Sequence, residues 1–179
     1  MEIKRNIFRA YDIRGIVGSE LTASLAYEIG RGFGTYLIEN KKKNCAVSGD
    51  VRPSTNELLK NLKRGLIESG VDVVCLGKLP TPLNYFSMHS SEIDVDSSVQ
   101  ITGSHNPSDY NGFKITYDNK PFFGDDIQLL YEIIKNKSFS TGEGELFSFD
   151  IKKEYCSMIK SKIVLDKRLK VALDCGNAA

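Results

Sequence analysis

Ser104 stands where a β-favouring run, Ser97 to Thr102, gives out at Gly103 and the chain has to turn. His105, Asn106, Pro107, Asp109 and Asn111 follow before a second β-favouring run opens at Gly112, with Lys114 on it. A serine placed this way is exposed, backed by sheet and surrounded by backbone N–H groups. That suits a nucleophile or a carrier of a phosphoryl group. A serine hydroxyl alone is a weak nucleophile and needs a base, a metal or a polarised phosphate.

Acyl-transfer chemistry fits the loop poorly. The chain holds two histidines, His89 and His105, and His105 is Ser104's neighbour, which in extended structure points elsewhere. The second glycine of a G-x-S-x-G elbow is also absent from Gly103-Ser104-His105-Asn106. Phosphoryl transfer fits better. A phosphoserine carries about −1.5 to −2 charges and calls for cations and donors. Lys114 and Arg14 offer charge, while His105, Asn106 and the loop amides offer hydrogen bonds. Mg²⁺ is the natural bridging cation. A lysine near other cations and partly desolvated can exchange protons with a sugar hydroxyl. Arg14 closes the segment Phe8-Arg9-Ala10-Tyr11-Asp12-Ile13-Arg14-Gly15, where it either pairs with a carboxylate or presents its fork to a phosphate.

The elements that must position these groups follow the order βαβα. Thr22 caps a helix to about Asn40 with the stripe Leu25, Ile29, Phe33 and Leu37, and Gly30, Gly32 and Gly34 imply close packing against another element. Cys45 to Ser48 reads as a buried strand. Ser54 with Glu57 forms a capping box ahead of Leu58, Leu62 and Leu66, and Gly70 stops that helix before a second strand, Val71 to Leu76. Thr81-Pro82 opens a helix ending near Ser90. Gly112 to Tyr117 reads as a strand, and Asp125 to Lys135 as a helix built on Leu129, Leu130, Ile133 and Ile134. Residues 137–145 form a loop, residues 151–163 a connecting helix, and Leu169 to Asn177 a strand and glycine turn. Alternating strands and helices predict a layered α/β/α domain with a mainly parallel mixed sheet over residues 1–149. Residues 150–179 read as a connecting helix and the start of a second domain that is cut short.

Composition removes several function classes. Lys plus Arg number 24 against 23 Asp plus Glu, so no charge excess argues for nucleic acid or an anionic membrane. Lys41-Lys42-Lys43 reads as a solvated helix end. No apolar run approaches a membrane span, and no signal pattern opens the chain. Cys45, Cys75, Cys156 and Cys175 lack metal-site spacing, and three of them fall in apparent strands, which implies a reduced, cytoplasmic protein. Asp94 and Asp96 lack a third ligand and read as a polar loop.

Phe8 to Gly15, Gly49-Asp50-Val51-Arg52, Thr102 to Pro107 and Asp109 to Lys114 together, in this order, resemble the α-D-phosphohexomutase family, in its phosphomannomutase/phosphoglucomutase branch. The resemblance covers essentially the whole chain and implies the first of four domains. It implies a full-length enzyme that interconverts hexose 1-phosphate and hexose 6-phosphate, of mannose and/or glucose, through a phosphoserine and a bisphosphorylated sugar. Ser104 is then the phosphoserine and its phosphate one ligand of Mg²⁺, with hexose 1,6-bisphosphate as activator. Lys114 is the general acid/base, and His105 and Asn106 position the loop. Tyr11, Arg14, Asn106 and Arg52 are the substrate-binding residues the resemblance implies, Tyr11 and Arg14 lining the substrate or phosphate site and Arg52 the weaker candidate, as support behind it. The family's Asp-Gly-Asp-Gly-Asp-Arg metal loop and its sugar-selecting loop have no counterpart in these residues, so residues 1–179 alone are expected to be nearly inactive. A non-catalytic module binding a sugar phosphate or a partner is the competing reading.

Overall fold

A computed structural model of the chain describes residues 3–176 and 178. Strands β1 (Ile13–Ile16), β2 (Asn44–Gly49), β3 (Asp72–Lys78), β4 (Ser97–Ile101), β5 (Tyr110–Tyr117), β6 (Lys120–Pro121) and β7 (Leu146–Ser148) form one sheet. Its order is β1-β5-β4-β2-β3-β7, with β6 paired to β5. The pairs β4–β2, β2–β3 and β3–β7 are parallel, whereas β5 is antiparallel to β4, β1 and β6. Only β5 therefore runs against the common direction. It can, because β4 and β5 join through the serine loop as a long hairpin, while the β2–β3 crossover needs a helix.

Helices α1 (Ala23–Glu39), α2 (Thr55–Glu68) and α4 (Asp125–Lys135) cover one face of the sheet. Thr22 has extended dihedrals, and its hydroxyl accepts the Leu25 N–H at 3.1 Å, starting α1 as its cap position predicts. Leu25, Ile29, Phe33 and Leu37 are all buried, each fully buried aliphatic or aromatic side chain contributing roughly 1.5–3 kcal/mol. The glycines do bring helices together. A Cβ on Gly30 would lie 2.3 Å from the Leu62 carbonyl oxygen, and one on Gly65 2.2 Å from that of Tyr27. On the other face, α3 (Thr81–Phe86) and α5 (Lys152–Lys162) meet through a Phe86–Tyr155 edge contact at 5.3 Å. They cover a smaller core of Ala46, Val74, Leu76, Leu79, Leu83, Val95 and Ile151. The result is the three-layer α/β/α arrangement.

Four expectations change. The Ser54–Glu57 capping box does not form: Ser54 is helical in its dihedrals and its hydroxyl accepts from Asn111 Nδ2 at 2.9 Å. The buried face of α4 is Ile127, Leu130, Tyr131 and Ile134, and Leu129 faces solvent. The run Leu146–Ser148 is a strand that its polar surroundings concealed, pairing with Val73 to Cys75. Leu169 to Cys175 form no strand, since no segment among the described residues pairs with them, and Val171 and Leu173 stay exposed. Asn177 lies outside the described residues.

The cysteines and acidic residues also find their places. Cys45 is buried in β2, and burial pushes its thiol up to about 12. Cys75 lies in β3, but Cys156 is on exposed α5 and Cys175 in exposed coil. Asp96 accepts the N–H groups of Lys43 at 3.1 Å and Asn44 at 3.3 Å and pairs with Lys42 Nζ at 3.1 Å. Burial opposes its ionisation, but these donors outweigh burial and hold its carboxyl below the ordinary range. It thus ties the α1–β2 turn to the start of β4. Among the described residues no helix is long and apolar enough to cross a membrane.

Candidate active site

The parallel strands β2 and β4 end side by side, with Gly49 opposite Ile101. The connections that leave these carboxyl ends carry Asp50 and Arg52 from one strand and the serine loop from the other. This is where open α/β sheets place ligands. A groove of about 700 Å³ opens there, lined by Asp50, Arg52, Thr81, Gln100, Thr102 and Ser104 among others.

Ser104 is exposed and has φ +52°, a left-handed conformation unusual for a residue with a side chain. Its N–H donates to Thr102 Oγ1 at 3.0 Å. The reversal also brings Ser104 Oγ within 3.3 Å of His105 Nδ1. Consecutive side chains diverge in extended backbone, so the sequence-based exclusion of His105 as a partner of Ser104 does not hold in this turn. Asn106 closes the turn, with its backbone N–H and its Nδ2 each donating to the Gly103 carbonyl at 3.0 Å.

Arg52 reaches into the same loop from the β2–α2 connection. Its guanidinium donates to the carbonyls of Ser104 at 3.2 Å, Asn106 at 2.6 Å and Tyr110 at 2.9 Å, and to that of Pro107. Its Nε lies 3.5 Å from Asp50 Oδ2. Asp50 is a part of the site that sequence reasoning passed over. Its Oδ2 accepts the Gly103 N–H at 3.1 Å, and its Oδ1 accepts the Arg52 N–H at 3.0 Å and the Thr55 hydroxyl at 2.6 Å. A polar residue after a strand-ending glycine and two before an arginine was the available signal.

Asp12 was passed over as well. It accepts from Arg14 at 2.6 Å and lies 3.5 Å from Lys114 Nζ. Ile13 pairs with Phe113 across β1 and β5, so the same register carried one residue back sets Asp12 beside Lys114. Arg14 is buried and also donates to the Gly103 carbonyl at 3.3 Å. Of its two readings, the ion pair to a carboxylate is therefore the observed one. On α3, burial first, and then the Asp12 charge, raises the Tyr85 phenol above the ordinary tyrosine value. Tyr11 is 77% exposed and stacks on Phe123 with ring centroids 6.3 Å apart. Ser104, His105, Asn106, Arg52 and Arg14 thus meet at one loop. Lys114 joins them through Asp12 and Arg14, and Tyr11 stands one residue before Asp12 at the surface.

The donor set does not make a cation site by itself. Among the described residues no three His, Cys, Asp or Glu side chains converge to hold a metal ion. Asp12 is held by Arg14 and Lys114, and Asp50 by Arg52, Gly103 and Thr55.

Fold and loop together define an α/β/α domain that presents an exposed serine at the carboxyl edge of its sheet, with basic side chains beneath it. Comparison with known proteins gives the family. Residues 5–141 match the family described as phosphoglucomutase/phosphomannomutase, alpha/beta/alpha domain I. The chain is 42% identical over 172 residues to a phosphomannomutase/phosphoglucomutase of Pseudomonas aeruginosa, covering 96% of this chain and 37% of that protein. A phosphoglucomutase of Neisseria meningitidis is 40% identical over 177 residues, covering 98% and 38%. A crystal structure of a phosphoglucomutase/phosphomannomutase family protein from Burkholderia thailandensis superposes with a TM-score of 0.89 at 41% identity, covering 93% and 38% of the two chains. This chain belongs to the phosphoglucomutase/phosphomannomutase family, and residues 5–141 are its α/β/α domain I. It spans somewhat more than a third of the length of these relatives.

Proposed function

We propose that residues 1–179 are the phosphoryl-carrying part of a hexose-phosphate mutase, in which Ser104 accepts and donates the transferred group. The observation that carries this reading is Ser104 itself. It is exposed, held in a left-handed turn by Thr102, and has a histidine nitrogen 3.3 Å from its hydroxyl oxygen.

In the forward step a sugar hydroxyl oxygen bonds to the phosphorus of phospho-Ser104 as the bond from phosphorus to Ser104 Oγ breaks. Lys114, as the neutral amine, takes the hydroxyl proton, and the Ser104 oxygen regains a proton, which protonated His105 supplies from Nδ1, 3.3 Å away. Return of the other phosphoryl group of the bisphosphorylated sugar restores the phosphoserine. Arg14 stabilises the loop beneath the phosphate, and Tyr11, propped by Phe123, offers a ring to the sugar. Asn106 holds the turn. Mg²⁺ is the cation the family resemblance implies; within this chain the phosphate on Ser104 would be its single ligand, and the others come from outside residues 1–179.

The substrates are hexose phosphates of mannose, glucose or both, as the names of the relatives suggest for those proteins. The sheet closes with β7, and α5 packs back onto α3 with Ile151 in the core, so the domain runs through α5 and the residues after Lys162 lead out of it toward the remaining domains. The setting is cytoplasmic. The test is incubation of full-length protein with mannose or glucose 1-phosphate, Mg²⁺ and hexose 1,6-bisphosphate. Interconversion that disappears in Ser104→Ala supports the reading; an active Ser104→Ala variant would sink it. Binding of hexose phosphates without turnover would favour the non-catalytic module.

A further inference from the structure

The geometry points to Arg52 as a positioning residue that holds the serine loop in its reactive shape and takes no part in binding substrate. The inference rests on the reading of Ser104 as the phosphoryl carrier and extends it to a residue that never touches the transferred group.

A guanidinium has five N–H donors. In Arg52 both terminal nitrogens are committed to four backbone carbonyls, those of Ser104, Asn106, Pro107 and Tyr110. Its fifth donor, on Nε, faces Asp50. The fork has no donor left for a sugar phosphate. Those four carbonyls lie along the whole loop from the serine to the first residue of β5. The loop's own backbone bonds are few: Asn106 N–H to Gly103, and Tyr110 N–H to Pro107 at 3.1 Å. One side chain thus replaces the ladder that a hairpin of this length lacks.

Two further observations show that the contact is built for closeness. A Cβ on Gly103 would stand 2.2 Å from Arg52 Nε and 2.3 Å from Cζ, so only glycine admits the guanidinium there. Asp50 fixes the fork from behind and takes the Gly103 N–H with the same carboxylate oxygen that faces Nε. Ser104 is then held from two sides, its N–H by Thr102 and its carbonyl by Arg52, in a left-handed conformation that serine disfavours. Without the clamp Ser104 relaxes toward ordinary dihedrals, and Oγ leaves the position facing the groove.

The experiment uses full-length protein carrying Arg52→Ala or Arg52→Lys. It follows phosphorylation of Ser104 by hexose 1,6-bisphosphate, steady-state turnover, and amide hydrogen exchange. A misplacement of about 1 Å costs on the order of a hundredfold in rate. The expected result is therefore a fall of about that size in Ser104 phosphorylation rate and in kcat. KM should stay within about threefold, because uniform binding is untouched. Lysine, with no planar fork, should not restore the rate, and free guanidinium should partly restore Arg52→Ala. Exchange should quicken in residues 103–110 and not in α1 or β3. Arg52→Lys keeps charge and stem, so it reports on the clamp even if the alanine variant unfolds. A raised KM at unchanged kcat would make Arg52 a substrate ligand and overturn the inference, as would unaltered loop exchange. Failure of the wild type to phosphorylate Ser104 would overturn the proposed function, and loop exchange would still decide whether Arg52 is the clamp.

Discussion

Gly103→Ala is the smallest change that puts the Arg52 contact under load. Gly103 is not one of the glycines with positive φ, so alanine meets no backbone penalty there. The whole effect comes from a methyl group placed 2.2 Å from Arg52 Nε. Ordinary contact begins at 3.4 Å, so the guanidinium must retreat by roughly 1 Å. Its bonds to Ser104 at 3.2 Å and Tyr110 at 2.9 Å do not survive such a shift. Hydrogen bonds from a charged donor are worth roughly 1.5–3 kcal/mol each, and overpacking alone costs about 1–3 kcal/mol. The loop borders water, which takes over the released carbonyls and returns much of the first quantity. We expect a net loss of about 2 kcal/mol in the unfolding free energy of the 179-residue chain, measured by urea denaturation. The decisive comparison is a double-mutant cycle. In an Arg52→Ala background the three atoms nearest the methyl group are gone, so Gly103→Ala should then cost less than about 0.5 kcal/mol. Additive effects of the two substitutions would refute the clamp geometry.

Three further outcomes follow from the packing and the electrostatics. Gly65→Ala should destabilise the chain by about 1–3 kcal/mol in urea, because the clash with the Tyr27 carbonyl outweighs a helix-propensity gain of about 1 kcal/mol; a stabilised variant would mean that α1 and α2 separate freely. The carboxyl of Asp96 titrates below its unfolded value, so the unfolded chain binds the extra proton first and stability falls as pH drops through the folded value. Asp96→Asn should flatten that acid limb of the urea midpoint against pH. With its thiol pushed up to about 12, Cys45 should resist a thiol reagent at pH 8 in the native chain, while exposed Cys156 and Cys175 react promptly; rapid loss of all four thiols would contradict the buried β2.

What the sequence made legible was whatever has a period or a cap. α1 announced itself by Thr22 and a four-residue apolar repeat, and β2, β3 and β4 by short apolar runs between turns. The seats of Ser104 and Lys114 followed from the same punctuation. Three residues of strand give no period, so β7 stayed hidden, its pairing carried by backbone alone. On α4 the period was present, but Leu129 drew the face one position away from Ile127, Leu130, Tyr131 and Ile134. Ser54 matched a capping box locally and was claimed by Asn111, 57 residues away. The site showed the same division. Residue types on the loop were readable, whereas Asp50, Asp12 and the fourfold grip of Arg52 come from tertiary contacts between β2, β1 and the β4–β5 connection. The approach of His105 to Ser104 depended on one left-handed dihedral that no composition rule predicts for serine.

The most direct measurement is site-resolved mass spectrometry of the full-length protein after incubation with a hexose 1,6-bisphosphate and Mg²⁺. One transferable phosphoryl group is expected on Ser104, discharged when hexose 1-phosphate is added and absent from Ser104→Ala. A phosphoryl group found on another residue, or an unmodified Ser104 in protein that still turns over hexose phosphate, would contradict it.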